Sequence, residues 1–230
     1  MINVTILNNP KDILCKPKKN INVVISIYNG ADYIEECLDS IQAQTFKPKR
    51  IILGVDGCEE SLRKIVKIRH KYDNLFVYNS KVNNGVYMMF NALVDLVPDN
   101  EWIQIFGADD VMDINMLEKM QENDRYAISK HVGVLFIKKS YLKLVGGFRD
   151  WRCGADADLI MRLRLGLKYK EISMPILFKR RIHDNQLTKI YPCDAGLRKE
   201  YIEITRLNYE SDNPMIYINP VKANIEAVCI

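Results

Sequence analysis

Short apolar runs alternate with segments of helical periodicity from Ile21 onward, and this alternation most constrains the fold. The runs "INVVISI", "RIILGV", "LFVYN" and "WIQIF" are typical of buried strands. Between them, apolar residues recur at helical spacing, as in Ile34, Cys37, Leu38 and Ile41. Repeated strand–helix–strand units predict an α/β fold with a Rossmann-like, mostly parallel sheet and helices on both faces. Ligands of such sheets bind at the carboxyl ends of the strands.

The same pattern divides the chain into an extension, one domain and a tail. Residues 1–20 are rich in lysine, contain two prolines and show no period, so we predict an N-terminal extension there. Residues 21–210 are predicted to form a single domain, with regular alternation over 21–112 and a mixed pattern over 113–210. The tail, 211–230, has no clear period, and the sequence does not predict its place.

Composition excludes several classes of protein. The 230 residues hold 33 basic and 29 acidic side chains, and the net charge of +4 is too mild to predict nucleic-acid binding. No apolar run approaches the roughly 18 residues of a membrane span, and the first residues lack the apolar region of a signal peptide. The six cysteines follow no regular spacing, so reduced thiols are expected. We therefore expect a soluble, cytoplasmic protein without a membrane span.

Three acidic residues fall where the sheet argument places a ligand. Asp56 ends the second predicted strand, and Asp109 and Asp110 follow the fourth. Two neighbouring carboxylates repel each other, and a bound divalent cation removes that cost. Oxygen ligands of this kind suit Mg²⁺ or Mn²⁺. The alternative is an ordinary acidic turn followed by a helix cap.

Five segments together resemble one known family. They are "VVISIYNGADYIEECLDSIQAQTF", "VDG", "NNGVYMMFNA", "FGADD" and "VGGFRDWRCGADADLIMRLRLG". Their order and spacing over roughly residues 21–190 resemble the family 2 glycosyltransferases, which have the glycosyltransferase-A fold. The resemblance implies an enzyme that moves one sugar, with inversion, from a nucleoside-diphosphate sugar to a hydroxyl of a glycan or other acceptor. It makes 21–112 the nucleotide-binding half and 113–210 the acceptor and catalytic half.

The resemblance assigns donor-binding roles to residues of the first half. Tyr28 and Asn29 match the turn that lies against the nucleotide in this family. Asp56 of "VDG" matches the acidic residue that hydrogen-bonds the base or ribose. Asn84 and Gly85 match a loop in which glycine permits close backbone approach and a helix start favours an anion. An ordinary turn before a helix remains the alternative for these last two.

The resemblance also implies a metal cofactor, Mn²⁺ or Mg²⁺. "GADD" matches the family's DxD-type motif, although Gly107 stands where the first aspartate often does. Asp109 is assigned to the ribose or the metal, and Asp110 to the metal and the diphosphate. Downstream, His183 is predicted to complete the coordination, and Arg181 with its basic neighbours to neutralise the departing diphosphate. A solvated basic strand end is the alternative for the arginine.

"CGADADL" resembles the family segment that usually reads G-E-D-x-D-L and supplies the general base. That base is Asp156 here, and Ala155 replaces the preceding glutamate. The start of a helix should favour the ionised carboxylate, although a simple helix cap is the alternative. Asp158 is expected to pair with Arg162 rather than to orient the acceptor. Trp151 has two open interpretations, stacking on a sugar or packing in the core.

Processive synthases of this family carry membrane helices and a Q-x-x-R-W motif, which this sequence lacks, so single-residue transfer is expected. UDP-sugars are the favoured donors by family habit, with GDP- and dTDP-sugars as alternatives. Two other functions stay open: a degenerate sugar-nucleotide-binding module without turnover, and a sugar nucleotidyltransferase. The glycine-rich start of a sugar nucleotidyltransferase is missing from this sequence. A nicotinamide dehydrogenase is disfavoured, because GxGxxG is absent after the first strand.

Overall fold

A computed structural model of the protein describes residues 18–122, 127–129, 135–167, 172–174 and 176–229. Most of the predicted N-terminal extension, residues 1–17, lies outside these ranges. The described residues form helices around a central mixed sheet, which confirms the predicted α/β class. No helix in this part of the chain is both long and apolar enough to cross a bilayer.

The sheet contains eight strands, and a separate ribbon contains two. Its order is β10-β3-β2-β1-β4-β7-β6-β8, and the ribbon pairs β5 with β9. The strands in chain order are β1 Ile21–Ile27, β2 Arg50–Asp56, β3 Leu75–Ser80, β4 Trp102–Gly107, β5 Val111–Met112, β6 Ala127–Ser129, β7 Leu135–Lys138, β8 Ile172–Met174, β9 Phe178–Lys179 and β10 Glu226–Ala227.

The first half of the chain supplies the parallel core of this sheet. β1 pairs in parallel with β2 on one side and with β4 on the other, and β3 continues in parallel beyond β2. The strand order therefore reverses between β1 and β4. Ligands of doubly wound sheets bind in the crevice at such a reversal, outside the carboxyl ends of the strands.

The helices lie on both faces of the sheet, as predicted. Their bounds are α1 Ile34–Gln42, α2 Glu59–Ile68, α3 Val86–Asp95, α4 Met116–Glu122, α5 Lys139–Val145, α6 Ala155–Leu167, α7 Leu187–Ile190 and α8 Gly196–Glu210, with a 3-10 turn at Arg69–Lys71. Apolar residues of α1, α2 and α4 pack with one face of β1, and those of α3, α5 and α6 form the core on the other. Alternate residues of each strand serve the two cores, since successive side chains point to opposite faces.

The second half of the chain is mixed, as its weaker periodicity predicts. β7 runs antiparallel to β4, and β6 lies antiparallel to β7 and parallel to β8. The β5–β9 ribbon pairs Val111 with Lys179 and Met112 with Phe178. This pairing carries the basic segment after β9 back to the acidic turn after β4.

The tail, whose place the sequence does not predict, packs against the domain. β10 pairs antiparallel with β3 and extends the sheet at that edge. Ile218 and Ala223 are buried, and the Ile218 amide donates to the Val145 carbonyl. The five cysteines within the described residues are all free thiols.

A buried ion pair anchors α6, the helix that begins next to the predicted base. Arg162 donates to the Asp158 carboxylate at 2.7 Å, which confirms the predicted pairing. Arg162 also donates to the carbonyls of Val145 and Gly147, and Asp158 accepts a second hydrogen bond from Arg149. The two ion-paired side chains Asp158 and Arg162 are 1% and 0% exposed. Together they fix α6 to the turn that follows α5.

Replacing Asp158 by alanine should destabilise the protein strongly. The substitution leaves the Arg162 charge buried without its partner, which typically costs about 3–5 kcal/mol. Chemical denaturation should therefore show a lower free energy of unfolding. The matched control is Glu203→Ala, which breaks an exposed pair with Arg206 on α8 and should leave the stability unchanged. Equal effects of the two substitutions would contradict an anchoring role for Asp158.

Candidate active site

A cavity of about 490 Å³ opens at the carboxyl ends of the parallel strands. Its wall includes Tyr28 and Asn29 after β1, Asp56 at the end of β2, and Asp109 and Asp110 after β4. This is the crevice that the reversal of strand order creates. The volume falls in the range of small-molecule sites, roughly 300–1,000 Å³.

The cavity gathers most of the residues that the sequence singles out. Those that line it are Tyr28, Asn29, Asp56, Gly85, Asp109, Asp110, Asp156 and His183. Asn84 and Arg181 do not belong to its wall, whereas their neighbours Asn83 and Arg180 do. The first half and the second half of the chain therefore both contribute to one site.

The turn after β1 is held in an unusual conformation. Asn29 has φ of +50°, a left-handed conformation that asparagine tolerates better than most residues. Its side-chain oxygen accepts a hydrogen bond from the Cys58 thiol at 3.2 Å, and the Gly30 amide donates to the Ser61 hydroxyl. These contacts hold the turn after β1 against the start of α2. The Tyr28 ring stays half exposed at the cavity, where it can stack on a planar group.

Asp56 organises the loop before α3. The side chain is 1% exposed, and its two oxygens accept hydrogen bonds from the amides of Asn84 and Gly85, both at 2.8 Å. Gly85 has φ of +97°, which a residue with a Cβ rarely adopts. The Asn84 amide group donates to the Ser80 hydroxyl and the Val82 carbonyl. The Asn84 side chain is thus committed to the loop, and the role of Asn84 and Gly85 beside an anion stays a prediction.

The acidic turn after β4 is a partly buried pair of carboxylates. Asp110 accepts a hydrogen bond from the Arg181 amide at 3.0 Å. Asp109 Oδ2 lies 3.0 Å from His183 Nε2 and accepts from the Gln186 side chain at 3.3 Å. Burial, and then the charge of Asp109, raise the pKa of Asp110 to about 6. A bound cation would stabilise the ionised forms of these two carboxylates.

Arg181 lies next to the acidic turn, and its predicted contact with the diphosphate stays a prediction. Its Nε donates to the Asp109 carbonyl at 3.0 Å, and its guanidinium pairs with Glu36. The same group lies over the Tyr33 ring, 5.0 Å from its centre. These three contacts hold the guanidinium beside Asp109 and Tyr33, two residues of the cavity wall. Arg180 lines the cavity as well.

The acidic turn offers oxygen ligands to a cation, although no complete ligand cluster is formed. Gly107 has no Cβ, and a Cβ built there would stand 3.0 Å from both Asp109 Oδ1 and Asp110 Oδ2. These two oxygens therefore converge on space that the glycine leaves. His183 Nδ1 is buried without a hydrogen-bond partner among the described residues. Within those residues no group of three or more His, Cys, Asp and Glu is assembled around a common point. The donor set fits Mn²⁺ or Mg²⁺, with His183 held against Asp109.

Asp156 lies in the first turn of α6 and faces the cavity. The Ala157 amide and the Tyr87 hydroxyl donate hydrogen bonds to its carboxylate. Burial nevertheless raises the pKa of Asp156, so it outweighs the helix start that was expected to favour the ion. A raised pKa brings a carboxylate closer to the range of an effective general base. Ala155 is fully buried in the core, where a glutamate would place a charge.

Tyr87 and Arg198 are among the cavity residues that the sequence does not single out, and Trp151, outside the cavity wall, has a packing partner. Tyr87 lies on the buried face of α3 and is read from its spacing as a core residue. Arg198 lies on α8, in a stretch without any motif, and is 7% exposed. Trp151 stacks on the Tyr201 ring at 4.3 Å between ring centres, almost parallel. Packing therefore accounts for Trp151, one of its two open interpretations.

Two solved structures share the architecture described above. TarS of S. aureus in complex with UDP-GlcNAc aligns with a TM-score of 0.63 at 16% identity, over 84% of this chain and 67% of TarS. The mannosyltransferase PcManGT of Pyrobaculum calidifontis, in complex with GDP-Man and Mn²⁺, aligns with a TM-score of 0.59 at 16% identity, over 70% of this chain and 56% of PcManGT. The chain has the glycosyltransferase-A fold.

Sequence comparison then finds a family model and a relative that match part of the chain. Residues 22–129 match the model of glycosyl transferase family 2. The glycosyltransferase GlyG of Streptococcus pneumoniae is 32% identical over 108 residues, which are 45% of this chain and 36% of GlyG. The chain thus spans about a third of the length of that relative. This match confirms the resemblance to the family 2 glycosyltransferases that the motifs predict.

Proposed function

We propose that this chain transfers one sugar from a nucleoside-diphosphate sugar to an acceptor hydroxyl, with inversion at the anomeric carbon. The observation that carries the proposal is the single cavity that joins Asp109 and Asp110 to Asp156. A donor diphosphate and a general base must lie within one substrate's reach of each other. The match to the family 2 model supports the same reaction.

The nucleotide is proposed to lie between the turn after β1 and the loop before α3. Tyr28 and Asn29 line one side, and the loop tied to Asp56 lines another. Asp56 acts chiefly by holding the amides of Asn84 and Gly85 in place. TarS is described with UDP and with UDP-GlcNAc, and PcManGT with GDP-Man. We favour a UDP-sugar donor, with GDP- and dTDP-sugars as alternatives.

The diphosphate is proposed to lie next to the acidic turn after β4. Asp109 and Asp110 would hold Mn²⁺ or Mg²⁺, with His183 beside Asp109. A cation bound there neutralises the carboxylate pair and the charge that develops on the leaving diphosphate. Arg180 lines the same wall and adds a positive charge from the protein itself.

Asp156 is proposed to act as the general base. Its carboxylate accepts the proton of the acceptor hydroxyl while the hydroxyl oxygen forms a bond to C1 of the donor sugar. The bond from C1 to the diphosphate breaks, and the nucleoside diphosphate leaves with the electron pair. Attack opposite the leaving group inverts the configuration at C1. The hydrogen bond from Tyr87 orients the carboxylate during this step.

The reaction is proposed to end after one transfer, since the sequence carries no Q-x-x-R-W motif. The rival functions differ in what they release. A binding module would retain the nucleotide and produce no free diphosphate. A nucleotidyltransferase would consume a nucleoside triphosphate and release pyrophosphate. Assays of UDP release and of pyrophosphate release therefore separate all three.

The first test of the donor is a thermal-shift screen with UDP, GDP, dTDP, CMP and their sugar conjugates, each with and without Mn²⁺. A ligand that binds only the native state raises the free energy of unfolding by RT ln(1 + [L]/Kd), and the melting temperature rises with it. We expect a metal-dependent shift for one nucleotide class, UDP first. The absence of any shift would contradict the proposed donor site.

Replacing Asp110 by alanine should abolish the Mn²⁺-dependent part of nucleotide binding. The substitution removes one of the two oxygens that converge at Gly107. Isothermal titration of UDP with and without Mn²⁺ measures the effect. Asp113→Ala is the matched control, since Asp113 is exposed on the same segment outside the cavity wall. Unchanged metal dependence in Asp110→Ala would remove Asp110 from the metal site.

Replacing Asp156 by asparagine should leave donor binding intact and lower kcat by about 10²–10⁴-fold, the usual contribution of a general base. The amide keeps the shape of the side chain but accepts no proton. UDP release in the presence of acceptor measures the rate, and titration with UDP measures binding. Asp150→Asn, an exposed neighbour outside the cavity wall, is the control. Full activity in Asp156→Asn would place the base elsewhere.

Replacing Tyr87 by phenylalanine should move the acidic limb of the pH–rate profile to higher pH. The Tyr87 hydroxyl stabilises the ionised carboxylate, so its loss raises the pKa of Asp156 further. A general base works only when deprotonated, and the rate therefore begins to fall at a higher pH as the solution is acidified. The pH dependence of kcat/KM measures the shift. Tyr78→Phe, which alters a tyrosine outside the cavity wall, should leave the profile in place. An unmoved limb in Tyr87→Phe would mean that another group sets it.

A further inference from the structure

Arg198 is a buried cation in the wall of the cavity. The residue lies in the first turn of α8 and is 7% exposed. Its guanidinium makes a long contact of 3.5 Å to the Leu187 carbonyl and one of 3.9 Å to the Cys193 sulfur, and it also contacts the Cys153 thiol. All three partners are uncharged, and the two sulfur atoms are weak acceptors.

The charge of Arg198 is only partly balanced by the protein, because the Asp156 carboxylate acts on it from beyond ion-pair distance. No carboxylate among the described residues forms an ion pair with it, and its Nε, fully buried, has no hydrogen-bond partner there. Arg162, the other deeply buried arginine, has Asp158 and two carbonyls as partners. The start of a helix also disfavours a positive charge. A buried guanidinium that is only partly balanced is costly unless an anion arrives to meet it.

Arg198 lies close to the proposed base. Among the charged groups that act on Asp156, Arg198 is the prominent cation, whereas those that act on Asp110 are Arg180 and Arg181. The Arg198 side chain also packs near Gly154, two residues before Asp156. The cavity thus has one cationic group beside the proposed base and others beside the acidic turn. The hydroxyl that loses its proton to Asp156 belongs to the acceptor.

We propose that Arg198 binds an anionic group of the acceptor, a phosphate or a carboxylate near the hydroxyl that receives the sugar. The planar guanidinium can donate to two oxygens of such a group. The inference rests on the proposed function, because it names the acceptor class of the same site. Arg198 is then a specificity-determining residue that contacts substrate and leaves donor binding untouched.

The test compares charged and neutral acceptor probes in binding and in turnover. The probes are glucose 6-phosphate and glucuronate against glucose, and glycerol 3-phosphate against glycerol. Calorimetric titration gives the affinities for the wild-type protein, Arg198→Gln and Arg198→Lys. The matched control is Arg206→Gln, which removes an exposed arginine from the same helix. Titration with UDP and Mn²⁺ measures donor binding in every variant.

We expect the wild-type protein to bind at least one anionic probe about tenfold or more tightly than its neutral counterpart, as a charge-assisted hydrogen bond implies. Arg198→Gln should lose that preference, Arg198→Lys should keep part of it, and Arg206→Gln should keep all of it. Preference for the phosphate esters or for glucuronate identifies which anion the site takes. Without ligand, Arg198→Gln should melt no lower than the wild-type protein, because it removes a buried charge that is only partly balanced. A purely structural arginine would lower the melting temperature instead.

Equal affinity of the wild-type protein for the charged and neutral probes would overturn the proposal, and this comparison does not depend on any variant folding. Weaker UDP binding in Arg198→Gln, with the probe preference intact, would also overturn it by moving Arg198 to the donor site. Neither result affects the proposed transfer. Failure of the proposed function shows separately, as absence of nucleotide binding to the wild-type protein.

Discussion

The parallel pairing of β1 with both β2 and β4 is the constraint on which the rest of the structure depends. Because the chain leaves β1 toward one side and later returns to its other side, the loops after these strands diverge and leave a crevice. The turn at Asn29, the carboxylate of Asp56 and the acidic turn at Asp109 all emerge there. The second half only has to close this crevice, and the β5–β9 ribbon does so by bringing the segment after β9 against Asp109 and Asp110.

Buried charges are treated differently in the scaffold and in the cavity. In the scaffold they are satisfied: Asp158 and Arg162 pair fully, and Glu101 accepts hydrogen bonds from Asn22 and Arg50 at the other end of the sheet. In the cavity, Asp110 and Asp156 have no ion-pair partner among the described residues, and burial raises the pKa of each. A protein tolerates such groups where a ligand supplies the missing counter-charge or proton, at a cost in stability. The buried carboxylates without an ion-pair partner therefore lie in the same cavity that the reversal of strand order creates.

The sequence predicts the parallel half of the fold and the position of the acidic residues, because strand periodicity fixes where each strand ends. It does not predict the contacts of the Asn84 and Arg181 side chains, since these depend on nearby acceptors: the loop's own Ser80 and Val82 for the first, and the Asp109 carbonyl with Glu36 for the second. Tyr87 is hidden because a cavity tyrosine on an amphipathic helix has the same spacing as a core residue. Arg198 is hidden because α8 reaches the site only through long-range packing against α6, which no local pattern encodes.

The two departures from the family motif gain a physical meaning in this fold. Gly107 stands where a first aspartate is often found, and its missing side chain leaves the space on which Asp109 Oδ1 and Asp110 Oδ2 converge. Ala155 replaces a glutamate, and its methyl group is buried against the core on which α6 packs. Gly107 lines the cavity without a carboxylate of its own, but both aspartates of the acidic turn and Asp156 are present in the same wall. A degenerate module would be expected to lose such costly buried carboxylates, because without a ligand or a reaction they only destabilise the fold. Their retention therefore favours an enzyme over a binding remnant.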